Sequence, residues 1–236
     1  MCCRYVLLKE HLAEIVHKLG LEPPAEFASR FNLAPGQLIP AVRAAPAGTG
    51  LEIARLNWGL IPAWASPGSE RRPNARAETL ASKPSFRDAF RTRRCLLPAS
   101  GFYEWEKIGK ARLPWLFRSP GSQPFCLAGI WESRSLPDGT HLETCAVITS
   151  EPNAVMRPIH HRMPVILLRD QFDRWLDPRA TRPEDMEPLL GPAPNGSLAA
   201  MRVGTRVNST AFDNESCLLP PEPGTEGAAQ FDLGLG

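Results

Sequence analysis

Proline is the feature of this sequence that most restricts how the chain can fold. The 236 residues include 25 prolines, about twice the usual share. Proline breaks helix interiors because it lacks an amide hydrogen and its ring clashes with the preceding turn. Bundles of long helices and coiled coils are therefore excluded. The length suits one sizeable core better than two independent domains, and no stretch is long and apolar enough to span a membrane.

The spacing of apolar residues predicts short elements of both kinds. Residues 7–19 predict a helix with one apolar face, formed by Leu8, Leu12, Ile15 and Leu19. Gly20 follows as a C-terminal stop. Leu51–Trp58 alternates apolar and polar residues, as a half-buried strand does. Shorter helices are predicted at 84–91, 170–176 and 182–190, and strands at 95–98, 102–106, 114–117, 125–131, 144–149 and 164–168. The fold class is α+β: a single domain of mainly antiparallel β-strands with short peripheral helices.

The last stretch of the chain differs in composition from the rest. Residues 220–236 are rich in proline, glycine and acidic residues and contain few apolar ones, so they predict a disordered tail. The predicted domain therefore covers residues 1–219. Met1 is not followed by a basic and then apolar leader, which favours a soluble intracellular protein.

The six cysteines show neither a C-x-x-C pair nor paired Cys/His spacing of the zinc type. Without an export signal, a disulfide framework is not expected. Cys95, Cys126 and Cys145 lie within apolar runs and predict buried, inert thiols. We expect no metal and no cofactor.

Basic charge is concentrated in one segment. The chain as a whole carries a net charge of +2, and 22 of its 27 basic residues are arginine. Residues 71–94 hold eight basic and two acidic residues, a net charge of +6. Arginine pairs bidentately with phosphate, and tryptophans and a tyrosine flank the segment. This pattern is typical of a groove for single-stranded nucleic acid; the alternative is a solvated arginine face beside core aromatics.

Cys2 follows the initiator methionine, and removal of Met1 would give this residue a free α-amine beside its thiol. Both groups have accessible nucleophilic forms near neutral pH. The amine can form a Schiff base with an aldehyde, and the thiol can then close a thiazolidine ring. An N-terminal cysteine can also act as an acyl-transfer nucleophile. The alternative is that Cys2 is merely the second residue of the chain.

Three further segments contain candidate site residues. His160 and His161 precede a predicted strand, where a histidine can transfer protons or play a structural part. Glu104 lies between Tyr103 and Trp105, and strand alternation places its carboxylate on the face opposite both aromatic rings. The segment 74–78 carries an amide, a guanidinium and a carboxylate at alternating positions.

These segments together resemble the SOS response-associated peptidase family, also called abasic-site processing proteins. The resemblance covers residues 1 to about 220. It is carried by seven motifs in order: Met1-Cys-Cys-Arg4, Phe31-Asn-Leu-Ala-Pro-Gly36, Trp58-Gly-Leu-Ile-Pro62 with Trp64, Asn74-Ala-Arg-Ala-Glu-Thr79, Pro84-Ser-Phe-Arg87, Cys95-Leu-Leu-Pro-Ala-Ser-Gly-Phe-Tyr-Glu-Trp105 and Ile159-His-His-Arg-Met-Pro164.

The resemblance implies a protein that binds single-stranded DNA and links covalently to abasic sites through Cys2. By position, Glu104 and His160 match the acid/base pair, and Asn74 matches the residue that orients the abasic sugar. Arg4, Arg76 and Arg162 match positions expected on phosphates, and Trp64 lies near a stacking or wedge position. The resemblance further implies a monomer in the cytoplasm, associated with the nucleoid, with no membrane partner.

The sequence departs from the family pattern at three positions. Cys3 replaces a usual glycine, Asn57 stands where an arginine often precedes the tryptophan, and His161 replaces a frequent carboxylate or amide. The assignment of His160 rather than His161 rests on its spacing to Arg162. Two alternatives to a crosslinking abasic-site sensor stay open: a cysteine peptidase with autoproteolytic activity, and a non-catalytic single-strand binder.

Overall fold

The computed structural model describes residues 2–46, 48, 50–66, 68–136 and 139–223. In chain order, the strands and α-helices are β1 (Tyr5–Leu7), α1 (Lys9–His17), β2 (Arg30–Leu33), β3 (Leu38–Ala44), β4 (Leu51–Trp58), β5 (Asn74–Arg76), α2 (Arg87–Thr92), β6 (Arg94–Ala99), β7 (Gly101–Ile108), β8 (Ala111–Arg118), β9 (Phe125–Ser135), β10 (His141–Ser150), β11 (Met163–Pro164), β12 (Ile166–Leu167), α3 (Phe172–Leu176), α4 (Pro183–Met186) and β13 (Ala199–Arg202). Short 3-10 turns lie between several of these elements. Two more follow β13, at Thr205–Asn208 and Glu215–Leu218.

The strands form two sheets. The smaller sheet has the order β13-β8-β7-β1-β2 and is antiparallel throughout. In the larger sheet β4, β3, β6, β9 and β10 pair in sequence, and β10 also pairs with β4, so this sheet closes on itself. The predicted single domain of mainly antiparallel strands with short helices is confirmed; the exceptions are β4 and β5, which run parallel to β10.

One continuous apolar core joins the two sheets. It takes in Trp58, Phe102 and Trp175, together with the buried side of α1. A smaller cluster on the other face of β7 contains Tyr103 and Val6 and is covered by the segment that follows β13. The buried cysteines Cys95, Cys126 and Cys145 belong to the main core, as predicted, and burial raises the pKa of each thiol above its usual value.

Several predicted boundaries are wrong. Residue 7 belongs to β1 rather than to the first helix, because its backbone continues the ladder of the smaller sheet. The helix predicted at 84–91 begins only at Arg87, and the one predicted at 182–190 changes to a 3-10 turn after Met186. Five strands were not predicted: β1, β2, β3, β5 and β13.

The predicted tail lies mostly outside the described residues, which end at residue 223. Its first residues contact the domain: Arg206 lies 3.9 Å from Glu222. Just before the tail, the Gly204 N–H donates to the carbonyl of Leu219. The longest helix of the described chain, α1, has nine residues, well short of the roughly 20 that a membrane span needs.

Candidate functional site

Cys2 lies in the core next to β7. The N–H of Tyr103 donates to the carbonyl of Arg4 (2.9 Å), and β1 continues this pairing, so the N-terminal residues run along β7. The Cys2 side chain is fully buried. Burial raises the pKa of its thiol well above the usual value, and the negative charge of Glu104 raises it further. The thiol of Cys2 is therefore protonated at neutral pH unless a base removes its proton.

Glu104 is the acidic residue whose charge acts on the Cys2 thiol. Its side chain is 3% exposed, on the face of β7 opposite Tyr103, as strand alternation predicts. Burial raises the pKa of Glu104 to about 7, so the carboxyl group exchanges protons readily near neutrality. Gly101 starts the strand, and a Cβ there would lie 2.8 Å from the Phe117 carbonyl oxygen. Glycine thus permits the close approach of β7 and β8.

His160 is the histidine that faces the Glu104 carboxyl group. Its Nε2 lies 3.9 Å from Oε2 of Glu104. Burial lowers the pKa of His160 to about 4, so at neutral pH this contact is not an ion pair. The backbone N–H of Arg162 lies 3.0 Å from Nδ1 of His160. The carbonyl oxygen of Arg162 lies at the same distance, 3.0 Å, from Nδ1. In the neutral tautomer in which Nδ1 accepts the N–H, the ring hydrogen lies on Nε2, the atom that faces Glu104.

His161 does not share this position. It is exposed, and its ring stacks on the ring of His160 at a centroid distance of 4.4 Å. The structure therefore brings His160, and not His161, to Glu104. Together, Cys2, Glu104 and His160 are called the Cys2 site below.

Asn74 begins β5, which runs parallel to β10 with Asn74 opposite Val147. The indole N–H of Trp58 donates to the carbonyl of Pro73 (2.9 Å) and fixes the entry to this strand. Among the described residues, the buried Oδ1 of Asn74 has no hydrogen-bond partner. A buried acceptor without a partner is unfavourable, and such groups in folded proteins call for a functional explanation.

Arg162 is bound within the protein. Its guanidinium donates to both carboxylate oxygens of Glu78 at 2.7 and 3.0 Å and also bonds to the carbonyl of Thr149. The side chain is 11% exposed. Because the backbone of Arg162 also holds His160, these bonds fix the ring that faces Glu104. The expected alternation of residues 74–78 stops at Arg76, since Glu78 lies in a 3-10 turn.

Arg4 is also bound internally. Its guanidinium donates to the carbonyl of Val207 (2.7 Å) and to Oδ1 of Asn32 (3.3 Å) and lies 5.9 Å from the centre of the Trp105 ring. The amide of Asn32 in turn donates to backbone carbonyls of the segment 207–212. Arg4 thus ties the residues after Cys2 to the chain that follows β13.

Trp64 and Arg76 are the two predicted DNA contacts with free surface. Trp64 is 65% exposed, and its loop is held by a bond from the Ala63 N–H to buried Glu132 (2.9 Å). Arg76 is exposed at the end of β5. Arg94, the last basic residue of the segment 71–94, is not available to the predicted groove, because it is buried and donates to four backbone carbonyls.

Two residues of this region escaped sequence analysis. Thr149 accepts from Arg162, and nothing in its sequence surroundings indicates that. Tyr5 is buried in the core beside Cys2, and within the described chain its hydroxyl has no hydrogen-bond partner. No group of three or more histidine, cysteine or acidic side chains in the described part of the chain is arranged to hold a metal ion.

Comparison with known proteins agrees with the motif order. The model of the SOS response associated peptidase (SRAP) family matches residues 1–210. The chain is 37% identical over 215 residues to the abasic site processing protein YoqW of Bacillus subtilis, covering 89% of this chain and 95% of that protein. It is 31% identical over 195 residues to the abasic site processing protein HMCES of Gallus gallus, covering 72% and 57%.

Solved structures share the fold. A protein from Bacteroides thetaiotaomicron superposes with a TM-score of 0.83 at 23% identity, covering 94% of this chain and all of that one. A protein from Bordetella bronchiseptica gives a TM-score of 0.73 at 25% identity, covering 86% and 99%. The resemblance drawn from the motifs is confirmed, and the chain belongs to the SOS response associated peptidase family.

Proposed function

We propose that this protein is an abasic-site sensor that binds single-stranded DNA and, once Met1 is removed, forms a covalent thiazolidine link through Cys2. The observation that carries the proposal is the Cys2 site: a buried thiol beside a carboxyl group whose pKa is about 7, with a neutral histidine behind it. The names of the relatives support the substrate. We place the activity in the cytoplasm, at the nucleoid, and expect a monomer.

The reaction needs two additions to one aldehyde carbon. The α-amine of Cys2 attacks the aldehyde of the ring-opened deoxyribose, and the resulting carbinolamine loses water to give a Schiff base. The sulfur then adds to the same carbon, the thiol gives up its proton, and the nitrogen gains one. The products are a thiazolidine and one water molecule, with no change in oxidation state.

Glu104 is suited to both proton transfers. Its protonated form can donate to the departing hydroxyl group, and its ionised form can accept the proton of the Cys2 thiol, which burial otherwise keeps protonated. In the tautomer with its hydrogen on Nε2, His160 can donate a hydrogen bond to the carboxylate or to the sugar oxygen as the ring opens. Neither step requires a metal or a cofactor.

The surrounding residues suit the binding of a damaged strand. We assign the unpartnered Oδ1 of Asn74 as the acceptor for a sugar hydroxyl and the exposed ring of Trp64 as a stacking or wedge surface. Arg76 supplies a phosphate contact without reading sequence. Arg4 and Arg162, matched to phosphates by position, are better suited to hold the N-terminal strand and His160, because Nη1 of Arg4 and both Nη atoms of Arg162 already have protein partners.

A gel assay tests the proposal. Processed protein mixed with a single strand containing an abasic site should give an adduct that survives denaturing electrophoresis, and an undamaged strand should give none. Cys2→Ala should abolish the adduct, whereas Cys3→Ala, which keeps the N-terminal amine and thiol, should retain it. An adduct of undiminished yield with Cys2→Ala would exclude the mechanism.

The cysteine peptidase is the second candidate, because the family description contains the term peptidase. Self-processing predicts two results. Met1 should remain on the Cys2→Ala variant, and it should still be removed from the wild-type protein in cells that lack methionine aminopeptidase. The non-catalytic binder predicts equal affinity for damaged and undamaged strands and no covalent product. The raised pKa of the Cys2 thiol argues against a peptidase that depends on a resting thiolate.

A further inference from the structure

The hairpin formed by β7 and β8 extends past the N-terminal residues. Antiparallel pairing places Tyr5 opposite Phe102, so the chain before Tyr5 runs along β7 toward the hairpin turn. The turn consists of Gly109 and Lys110, with a positive φ at Gly109, the pattern of a type II′ connection. Residues 107–112 are all exposed. The hairpin therefore projects beside the Cys2 site.

Three cations are concentrated on this short projection. Lys107 and Arg112 are cross-strand partners, and Lys110 occupies the turn between them. Among the described residues, none of the three has an ion-pair partner. Like charges directly opposite each other destabilise a pair of strands, so this arrangement is unfavourable in the free protein. An anion bound between the two side chains would remove that repulsion.

The charges of two of these cations affect pKa values at and beside the Cys2 site. Burial is the main cause of the low pKa of His160, and the charge of Lys107 lowers it further. Burial raises the pKa of the Cys3 thiol, and the charge of Arg112 opposes that shift. Lys107 and Arg112 therefore lie near enough to the Cys2 site for their charges to act on it.

We propose that Lys107, Lys110 and Arg112 bind backbone phosphates of the DNA strand beside the abasic nucleotide. This inference rests on the proposed function and adds a second phosphate-binding surface to the one at Arg76. Because backbone phosphates carry no sequence information, the hairpin contributes affinity without sequence preference.

The test compares a hairpin variant with a charge-matched control. The hairpin variant is Lys107→Gln with Arg112→Gln; the control is Arg179→Gln with Arg182→Gln, two exposed arginines that influence none of the pKa values in the Cys2 site. Binding to a labelled single strand with a tetrahydrofuran residue in place of the abasic sugar is measured by anisotropy over a range of salt concentrations. This probe has no aldehyde, so the readout does not depend on adduct chemistry.

The hairpin variant should bind roughly tenfold more weakly at low salt, as two exposed charge contacts of ordinary strength give. Its plot of log affinity against log salt should be less steep by about 1.4, since each lost phosphate contact contributes about 0.7. Its melting temperature should rise.

Three outcomes would overturn the inference: a wild-type salt slope in the hairpin variant, an equal loss of affinity in the control, or a fall in melting temperature that accounts for weaker binding. Failure of the proposed function is distinguished from these outcomes, because it means that wild-type protein forms no adduct while the tetrahydrofuran strand still reports hairpin binding.

Discussion

Two buried polar regions of this molecule differ in how completely their hydrogen-bonding groups are satisfied. In the first, Asn32 accepts from Arg4 and donates to three carbonyls, while Asp213 accepts from the backbone of β2 and pairs with Arg30. We call Arg4, Arg30, Asn32 and Asp213 the Asn32 cluster. In the second, the Cys2 site and Asn74, burial has shifted pKa values and left an acceptor unpartnered.

The difference separates structural from reactive polar groups. Buried networks in which every group is satisfied fix one arrangement of the chain, and the Asn32 cluster fixes the segment after β13 against β2. Perturbed pKa values and unsatisfied acceptors are concentrated at functional sites. Removing a group from the first region should therefore mainly reduce stability, and removing one from the second should mainly reduce reactivity.

The largest expected loss of stability follows Asn32→Ala. Three carbonyls lose a buried donor and Arg4 loses an acceptor, so the free energy of unfolding should fall by about 4 kcal/mol. Urea denaturation measures this loss. Asn57→Ala is the control, because that side chain only accepts a bond from Arg71 at the surface, and it should change stability by about 0.5 kcal/mol or less. Equal losses in the two variants would remove the distinction between the regions.

The second prediction concerns pH and the Cys2 site. Burial raises the pKa of Glu104 from 4.5 to about 7, so the folded state binds more protons and this group makes stability fall as pH rises between those values. Burial lowers the pKa of His160 from 6.5 to about 4, so this group makes stability rise with pH from about 4 to 6.5. Each effect amounts to about 3 kcal/mol, and the two oppose each other.

In the wild type the two opposing effects partly cancel. A variant that lacks one of the two groups should therefore show the dependence of stability on pH that the other group causes. Glu104→Gln should become more stable from pH 4 to 6.5, because only the histidine effect remains. His160→Gln should become less stable from pH 4.5 to 7, because only the carboxyl effect remains. Urea denaturation at a series of pH values measures both. Parallel curves for the two variants would show that these groups do not titrate as the structure requires.

Sequence patterns nominated the residues of the Cys2 site but did not predict the Asn32 cluster. The strand Leu51–Trp58 was predicted at its observed bounds, since its alternation is local. Cys2, Glu104 and His160 were nominated by residue type and motif order. The Asn32 cluster was not, because its partners are distant in sequence: 203 residues separate Arg4 from Val207. A pattern of neighbouring residues carries no information about such a pair.

The same limitation applies to the internal hydrogen bonds of Arg4 and Arg162. Their residue type and motif position predicted phosphate contacts, and the bonds they make arise from folding: Glu78 lies 84 residues before Arg162. Short strands such as β1 and β5, each with three residues, are also set by their partners, since so few residues show no periodicity. Trp64 was predicted as a stacking or wedge residue, and its side chain is exposed. The bond from Ala63 to Glu132 that holds its loop could not be predicted, because Glu132 is distant in sequence.

A smaller effect is expected where the Cys2 site is linked to surface charge. Hydrogen bonding to Arg162 lowers the pKa of Glu78, whose side chain is 53% exposed. Glu78→Gln should therefore reduce stability by only about 0.5 kcal/mol, yet it should slow adduct formation because Arg162 holds His160. Asp185→Asn, which breaks a similar exposed pair with Arg182, is the control and should leave the adduct rate unchanged. Equal rates in the two variants would place Arg162 outside the reaction.

A small change in stability should accompany Asn74→Ala, and this variant gives the sharpest contrast with Asn32→Ala. The variant removes a buried acceptor that has no partner among the described residues, so the lost amide contacts and the removed desolvation penalty should nearly cancel, within about 1 kcal/mol. Adduct formation should fall at least roughly tenfold, the rate equivalent of one lost hydrogen bond to the sugar. Denaturation and single-turnover gels measure the two quantities on the same preparation. A loss of stability as large as that of Asn32→Ala, with an unchanged adduct rate, would make Asn74 a structural residue, and the unpartnered acceptor would no longer mark the sugar-binding position.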